Sequence, residues 1–398
     1  MATSTTIGSA RLARLDSVDL LRGLVMVLMA LDHVRDYVGD LVTNPTDPSR
    51  ASTALFLTRW VTHFCAPVFF FLAGTGAYLS LRTRTRPELS RWLLERGLLL
   101  VVLELTLLRF LWQFNWDYRV TILNVIWALG LSMIVLATLV RLQVRTVAAI
   151  GVGAIALHNL LDGVAPATFG PLATLWNVLH QPGVLAAGAE RTLFLAYPLV
   201  PWFGAMAAGF ALGAVYSWDA ERRRAFLLRL GLACVVAFVM LRLANAYGDP
   251  RPWSTQATGL RTVLSFVNTN KYPPSLLFLL MTLGPALLVL RATDGGVPHL
   301  LRPALVFGRT PLFYFALHVL VIHLLAVGLS LARYGTAAGM ASSPMLDRFP
   351  ITQPPGWPVS LPVTYALWAL VVALCWPACC WYARLRARRR DLAWRGYF

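Results

Sequence analysis

Residues 16–40, DSVDLLRGLVMVLMALDHVRDYVGD, constrain this chain more than any other stretch. The run is long and apolar enough to cross a bilayer, yet it carries charge at both ends and a histidine near one of them. Built as a helix, it places His33 eleven residues after Arg22. That is about 1100° of rotation, so the two point within roughly 20° of one direction. Asp19, Met26, Met29 and Asp36 fall near the same face, and Asp32 on a different one. Arg22 and His33 are separated by about 16 Å along the axis, roughly half the hydrocarbon thickness. Ionisable groups inside a spanning helix cost ~2.5–3.5 kcal/mol on insertion scales and face a polar interior. A stripe of acid, arginine, histidine and acid therefore reads as the lining of an internal site. A structural reading is also open, with Arg22 and Asp36 marking the interfaces and His33 a hydrogen-bonded packing residue.

The rest of the chain also demands a membrane. It is 58% hydrophobic and 13% charged over 398 residues, against about 25% charged in a soluble domain. Apolar segments at 17–38, 54–81, 93–113, 121–141, 146–163, 193–217, 225–247, 273–292, 304–332 and 361–383 predict an all-α, polytopic integral membrane bundle of about ten helices, in one domain over 1–398. The net charge of +17 would suit nucleic acid, but the arginines cluster at segment ends, where the positive-inside rule puts them. No nucleic-acid partner is expected. Arg11 and Arg14, the run from Arg82 to Arg96, Arg141 and Arg145, Arg222 to Arg224, Arg291 and Arg302, and Arg384 to Arg390 share one side if there are ten helices. Both termini are then cytoplasmic, with tails at 1–15 and 384–398, in the cell (inner) membrane. No A-x-A site follows the first segment, which should act as a retained anchor. The five cysteines lie in apolar segments without paired C-x-x-C clusters, and no metal is expected.

Further polar groups interrupt the later segments. Arg59, Trp60 and His63 sit near one end of the second, where Pro67 deprives the His63 carbonyl of its helical donor. Glu104 needs a cationic or hydrogen-bonded partner, for which Arg22 is a candidate. Tyr197 and Trp202, interleaved with Pro198 and Pro201, predict an irregular helix end lining a cavity. Gly204/Ala208 and Gly209/Gly213 have the spacing of close helix contacts. Lys271, Tyr272 and Ser275 crowd the start of the eighth segment. In the ninth, Tyr314 and His318 share a face while His323 is turned roughly 140° away, so one histidine should face the interior, with His318 favoured.

Several of these runs are similar to a known family. SVDLLRGLVMVLMALDHVRDYV, TRWVTHFCAPVFFFLAGTGAYL (58–79), NVIWALGLSM (124–133), YPLVPWFGAMAAGFALG (197–213), KYPPSLLFLLMTLGP (271–285) and FGRTPLFYFALHVLVIHL (307–324) resemble the bacterial branch of the heparan-α-glucosaminide N-acetyltransferase catalytic-domain family. The likeness covers essentially the whole chain. Arg22 and His33 also reproduce the R-x10-H spacing seen in the first helix of the wider membrane acyltransferase group. The resemblance implies transfer of an acetyl or other acyl group from cytoplasmic acetyl-CoA, without a metal. The acceptor would be a glycan, a lipid-linked sugar or an envelope small molecule.

The eukaryotic heparan enzyme uses a histidine in its first non-cytoplasmic loop, followed by a Trp-Asn-Gly run. The matching loop here, 39–58, contains neither, which argues against heparan as acceptor. The role passes to His33, with His63 second and His318 third, as a neutral base or as the group that takes the acyl unit. Asp32 or Asp36 would orient the ring. Arg22, Arg309, Arg82 and Arg84 are candidates for the CoA phosphates, and Arg59, Trp60, Tyr197, Trp202, Tyr272 and Tyr314 for the acceptor. Membrane lipid and the acceptor are the expected partners, and a homo-oligomer is open. The alternative is a transporter or lipid-binding membrane protein whose polar stripe is a permeation path. Such proteins often repeat interrupted helices in two halves, and no half-to-half repeat is visible.

Overall fold

The computed structural model describes residues 15–188, 191–342, 346 and 349–388. Arg11, Arg14, Arg389 and Arg390, with most of both expected tails, lie outside the described residues. Helix α1 (Asp16–Val38) carries Asp16 and Asp19 in its first turn, where unpaired backbone N–H groups favour acids. It packs against α3 (Cys65–Leu79), α13 (Leu305–Arg309), α14 (Pro311–Tyr334) and α15 (Leu361–Arg388). The approach to α13 needs glycine, because a Cβ on Gly308 would lie 1.8 Å from the Asp19 carbonyl oxygen.

The second segment breaks where Pro67 leads one to expect it. Helix α2 (Thr53–Thr62) starts at Ser52, whose hydroxyl accepts from Leu55 N. It stops at His63, and the chain turns before α3. Helix α3 then lies on α9 (Leu199–Gly213). The small-residue spacing of α9 serves two neighbours. A Cβ on Gly209 would sit 1.9 Å from the Phe71 carbonyl of α3, and one on Gly204 3.0 Å from Gly151 of α7 (Val144–Leu157).

Helix α4 (Arg86–Leu103) starts earlier than the apolar pattern suggests. Thr85 and Glu88 close a reciprocal capping box, with Pro87 in the first turn. A π-helical turn, Glu104–Leu108, joins it to α5 (Arg109–Gln113). The wide turn leaves Glu104 buried against the backbone N–H groups of Ile126 and Trp127, which open α6 (Val125–Leu139). The expected pairing with Arg22 is therefore corrected: a helix N-terminus supplies the positive field instead.

Three short strands were not anticipated. β1 (Val120–Leu123) runs parallel to β3 (Thr192–Leu195), with Val120 opposite Thr192 and Leu123 opposite Leu195. β2 (Gly183–Ala187) adds to the other edge of β3, antiparallel. The helical reading of 121–124 and 193–198 thus fails. VTIL and TLFL are rich in β-branched, aromatic and aliphatic residues that suit strands, while Asn124 caps α6 and Pro198 precedes α9. The loop 164–192 also holds a short helix, α8 (Ala173–Leu179).

The remaining elements are α10 (Ala220–Ala244), α11 (Gly259–Val267) and α12 (Leu276–Thr293), with α10 packed along α12. Among the described residues seven helices are long and apolar enough to cross a membrane: Thr53–Arg82, Val144–Leu161, Leu199–Ser217, Ala220–Ala244, Leu276–Thr293, Pro311–Tyr334 and Leu361–Arg388. The expected segments 17–38, 93–113 and 121–141 are absent from that set. α1 and α4–α5 are helical but heavily charged, and α6 has only 15 residues. The chain is an all-α, multi-pass membrane bundle with a small sheet at one end of it.

Candidate functional site

A cavity of about 350 Å³ opens at the His33 end of α1. α1 lends it Met29, Asp32, His33, Arg35 and Asp36, and α2 lends Arg59 and Thr62. The small sheet closes one side with Ile122 and Phe194, and α14 contributes Phe315. Asp32, expected on a different face from His33, lines the cavity as well.

His33 is held by another histidine. Its Nδ1 lies 2.7 Å from Nε2 of His318, and the two rings stack at 4.9 Å. His318 Nδ1 lies 2.8 Å from the Tyr314 carbonyl oxygen. A carbonyl only accepts, so His318 carries its proton on Nδ1 and offers a lone pair at Nε2. His33 must then donate from Nδ1, which leaves its Nε2 as the unprotonated atom of a ring lining the cavity. Trp112 and Phe315 pack edge-on against His33 and fix its plane. The orienting group for the ring is thus His318, where Asp32 or Asp36 was expected.

The two carboxylates are occupied elsewhere. Arg35 donates to Asp32 at 3.0 Å and to Asp36 at 2.6 Å, and Arg59 donates to the second oxygen of Asp32. Lys271 also faces the cavity, and it makes no ion pair among the described residues. Among the described residues the lining therefore holds three cations and two acids. Lys271 is the only lysine in the sequence, a signal that composition carried and that motif reading did not use.

A braced loop presents Lys271 and Tyr272. Asp249 accepts from the Asn270 N–H at 2.8 Å and from the Ser275 hydroxyl at 2.6 Å. Ser275 in turn caps α12 at Phe278. Arg242, fully buried, donates to the carbonyls of Phe266, Arg251, Ser265 and Asn268, tying down the chain ahead of the loop. Tyr272 meets Tyr197 at 3.4 Å between hydroxyls. The low-dielectric wall alone would raise the Tyr272 phenol, but Lys271 and Arg59 outweigh it and hold it below its ordinary value.

The other residues singled out from sequence lie apart from this cavity. His63 is buried behind the wall against Phe278. Trp60 packs on Phe64, and Trp202 on Phe70. Tyr314 stacks on His318 and acts through its carbonyl. His318 and His323 are both buried, which corrects the expectation that only one faces inward. α5 and the segment around Met340 cover the far side of α14, and their carbonyls at Leu111 and Met340 accept from or face His323.

Arg22 and Arg309 sit at the opposite end of α1. Arg22 donates to the Gly308 carbonyl at 2.9 Å and to Asp19 at 3.2 Å, and Arg309 to Asp16 at 2.7 Å. Arg84 and Arg96 flank the Trp92 ring, and Arg96 is within electrostatic range of Arg22, Arg84 and Arg386. Arg82 instead binds the Tyr216 carbonyl. A narrow cavity of about 70 Å³, lined by Arg96 and Met26, shares Phe69, Val125 and Phe315 with the larger one. The two cavities therefore meet at these three side chains, between the arginine end and His33.

The helices and the buried polar site together define a multi-pass membrane protein with a polar cavity inside its bundle. Residues 14–242 match the family described as heparan-alpha-glucosaminide N-acetyltransferase, catalytic, and the chain belongs to that family. No curated protein matches it. The matched region holds His33, Asp32, Asp36, Arg59 and Tyr197, and stops short of Lys271, Tyr272 and His318.

Proposed function

We propose that the chain is a membrane acyltransferase that takes an acetyl or other acyl group from acyl-CoA, with His33 as general base. The observation that carries this reading is the chain from the Tyr314 carbonyl through His318 to His33, ending on a lone pair inside a cavity that Lys271 also faces. Membership of the heparan-alpha-glucosaminide N-acetyltransferase catalytic family supports acyl transfer as the reaction class.

In this reading the acceptor's hydroxyl or amine binds by Tyr197, Tyr272 and Arg59. His33 Nε2 takes its proton as the acceptor atom attacks the thioester carbonyl. A new O–C or N–C bond forms while the carbonyl electrons move onto oxygen, and the Lys271 ammonium stabilises that oxyanion. The C–S bond then breaks, and the imidazolium returns its proton to the departing thiolate, releasing free CoA. His318 is a positioning residue that keeps the His33 proton on Nδ1.

The donor enters from the Arg22, Arg84, Arg96 and Arg386 end, where guanidinium groups suit phosphates. Its thioester arm passes between Phe69, Val125 and Phe315. That end is cytoplasmic by the positive-inside rule, so the acceptor, a glycan, lipid-linked sugar or envelope small molecule, approaches from the other side. The test is free-thiol release from acetyl-CoA by the purified protein in lipid, with envelope extract as acceptor source. Release that vanishes in His33→Ala supports the reading. A wild type that releases no CoA with any extract overturns it.

A further inference from the structure

A second polar cluster lies outside the His33 cavity, where α7 ends. His158 and Asp162 lie on the single turns that follow α7, and His180 follows α8. The long loop folds back and brings all three together, with one ligand atom of each within 4.8 Å of the others. The two histidines are 2% and 1% exposed. All four of their ring nitrogens are buried, and none makes a hydrogen bond of good geometry, one on His158 only approaching the Pro274 carbonyl. Burial of that many unmet polar atoms is unusual, since buried polar groups in folded proteins are nearly always bonded. His180 Nε2 stands 3.6 Å from Asp162 Oδ1, too far for a hydrogen bond. The Trp176 ring packs against His180 at 4.9 Å and gives it nothing to bond.

We propose that His158, Asp162 and His180 form a binding site for a divalent transition-metal ion of the zinc type. Two imidazoles and one carboxylate are a donor set that zinc accepts and that magnesium and calcium, which prefer all-oxygen shells, do not. Three protein ligands leave a fourth tetrahedral position to water. Zinc at about 2.0–2.2 Å from each ligand needs ligand-to-ligand separations of about 3.3 Å. The His180–Asp162 pair, at 3.6 Å, is close to that, and a ligand atom of His158 lies within 4.8 Å of both.

The surroundings are those of an outer coordination shell. The Asn159 amide donates to Asp162 Oδ2 at 2.7 Å, which turns Oδ1 toward His180. One His158 nitrogen faces the Pro274 carbonyl, the kind of partner that orients a ligating imidazole. Asn159 Oδ1 accepts from Leu276 N at 2.8 Å. An ion here therefore clamps α7 and the 164–182 loop to the base of the loop that presents Lys271. It takes no direct part in chemistry at His33, because none of the three ligands lines that cavity.

The experiment uses the full chain, purified in detergent through a tag free of histidine. Chelator-treated protein is titrated with Co²⁺ and read by visible absorption, then with Zn²⁺ and read by thermal unfolding. The expected result is one equivalent of Co²⁺ with tetrahedral bands that Zn²⁺ displaces, and a Tm that rises with Zn²⁺ and falls with chelator. His180→Gln and Asp162→Asn should lose the bands and melt with the chelated wild type, whereas His299→Gln, an exposed histidine elsewhere, should keep them. A wild type whose spectrum and Tm ignore both metals and chelator overturns the proposal without recourse to any variant. So does undiminished one-equivalent binding in both cluster variants.

Discussion

Replacing His318 with leucine tests the tautomer argument most directly. His33 Nδ1 then loses the acceptor at 2.7 Å, and the side chain introduced has no polar atom. A buried donor left without its partner costs about 1–3 kcal/mol. The His33 proton avoids that cost by moving to Nε2, toward the cavity, where it blocks the base. At about 1.4 kcal/mol per tenfold, the productive tautomer falls by roughly 5–150-fold. Turnover in the CoA-release assay should fall by that factor, with KM for acetyl-CoA unchanged. His318→Gln keeps an acceptor oxygen near the old Nε2 and should recover much of the loss. His33→Ala removes the base itself and should cost about 10²–10⁴-fold. Full turnover in His318→Leu, or equal losses in the leucine and glutamine variants at equal thermal stability, would refute the reasoning.

Other outcomes follow from the same geometry. Lys271→Met should lower kcat by about 10²–10³-fold if the ammonium meets the oxyanion, while Lys271→Arg keeps part of it; an effect on KM alone would contradict that role. Arg84→Ala and Arg96→Ala should raise KM for acetyl-CoA but not for acetylpantetheine, which lacks the nucleotide phosphates; equal effects on both donors would remove these arginines from the donor site. Gly209→Ala places a methyl group 1.9 Å from the Phe71 carbonyl and should destabilise the bundle by about 1–3 kcal/mol, seen as a lower Tm in detergent. Reporter fusions after Leu41 and after Arg390 should report opposite sides of the membrane, and a shared side would sink the ten-helix topology.

Much of the site could be read from local pattern, and its assembly could not. Helical periodicity alone put Met29, His33 and Asp36 on one stripe of α1, and all three line the cavity. Pro67 foretold the break that ends α2 beside Arg59. Backbone chemistry within one turn was enough for both. His33 and His318 are 285 residues apart, and no rule of spacing links them. The same holds for His158 and His180, which a loop of turns and one short helix folds together. The strands were missed because a four-residue apolar run next to a helix start has no period long enough to separate the two structures. Lys271 was visible in another way, as the one lysine of an arginine-rich chain.

The contacts of α1 also have a consequence in time. Its charges at Asp16 and Asp19 are met by Arg309, the last residue of α13, and α15 covers another flank. Asp19 and Arg309 are 290 residues apart, so at ribosomal rates the cation emerges roughly 15–60 s after the acid. During that interval the helix made first stands in the bilayer without its contact to Arg309. The bundle is therefore closed by its latest-made helices, and a chain released early would leave the first helix as its weakest tenant of the membrane.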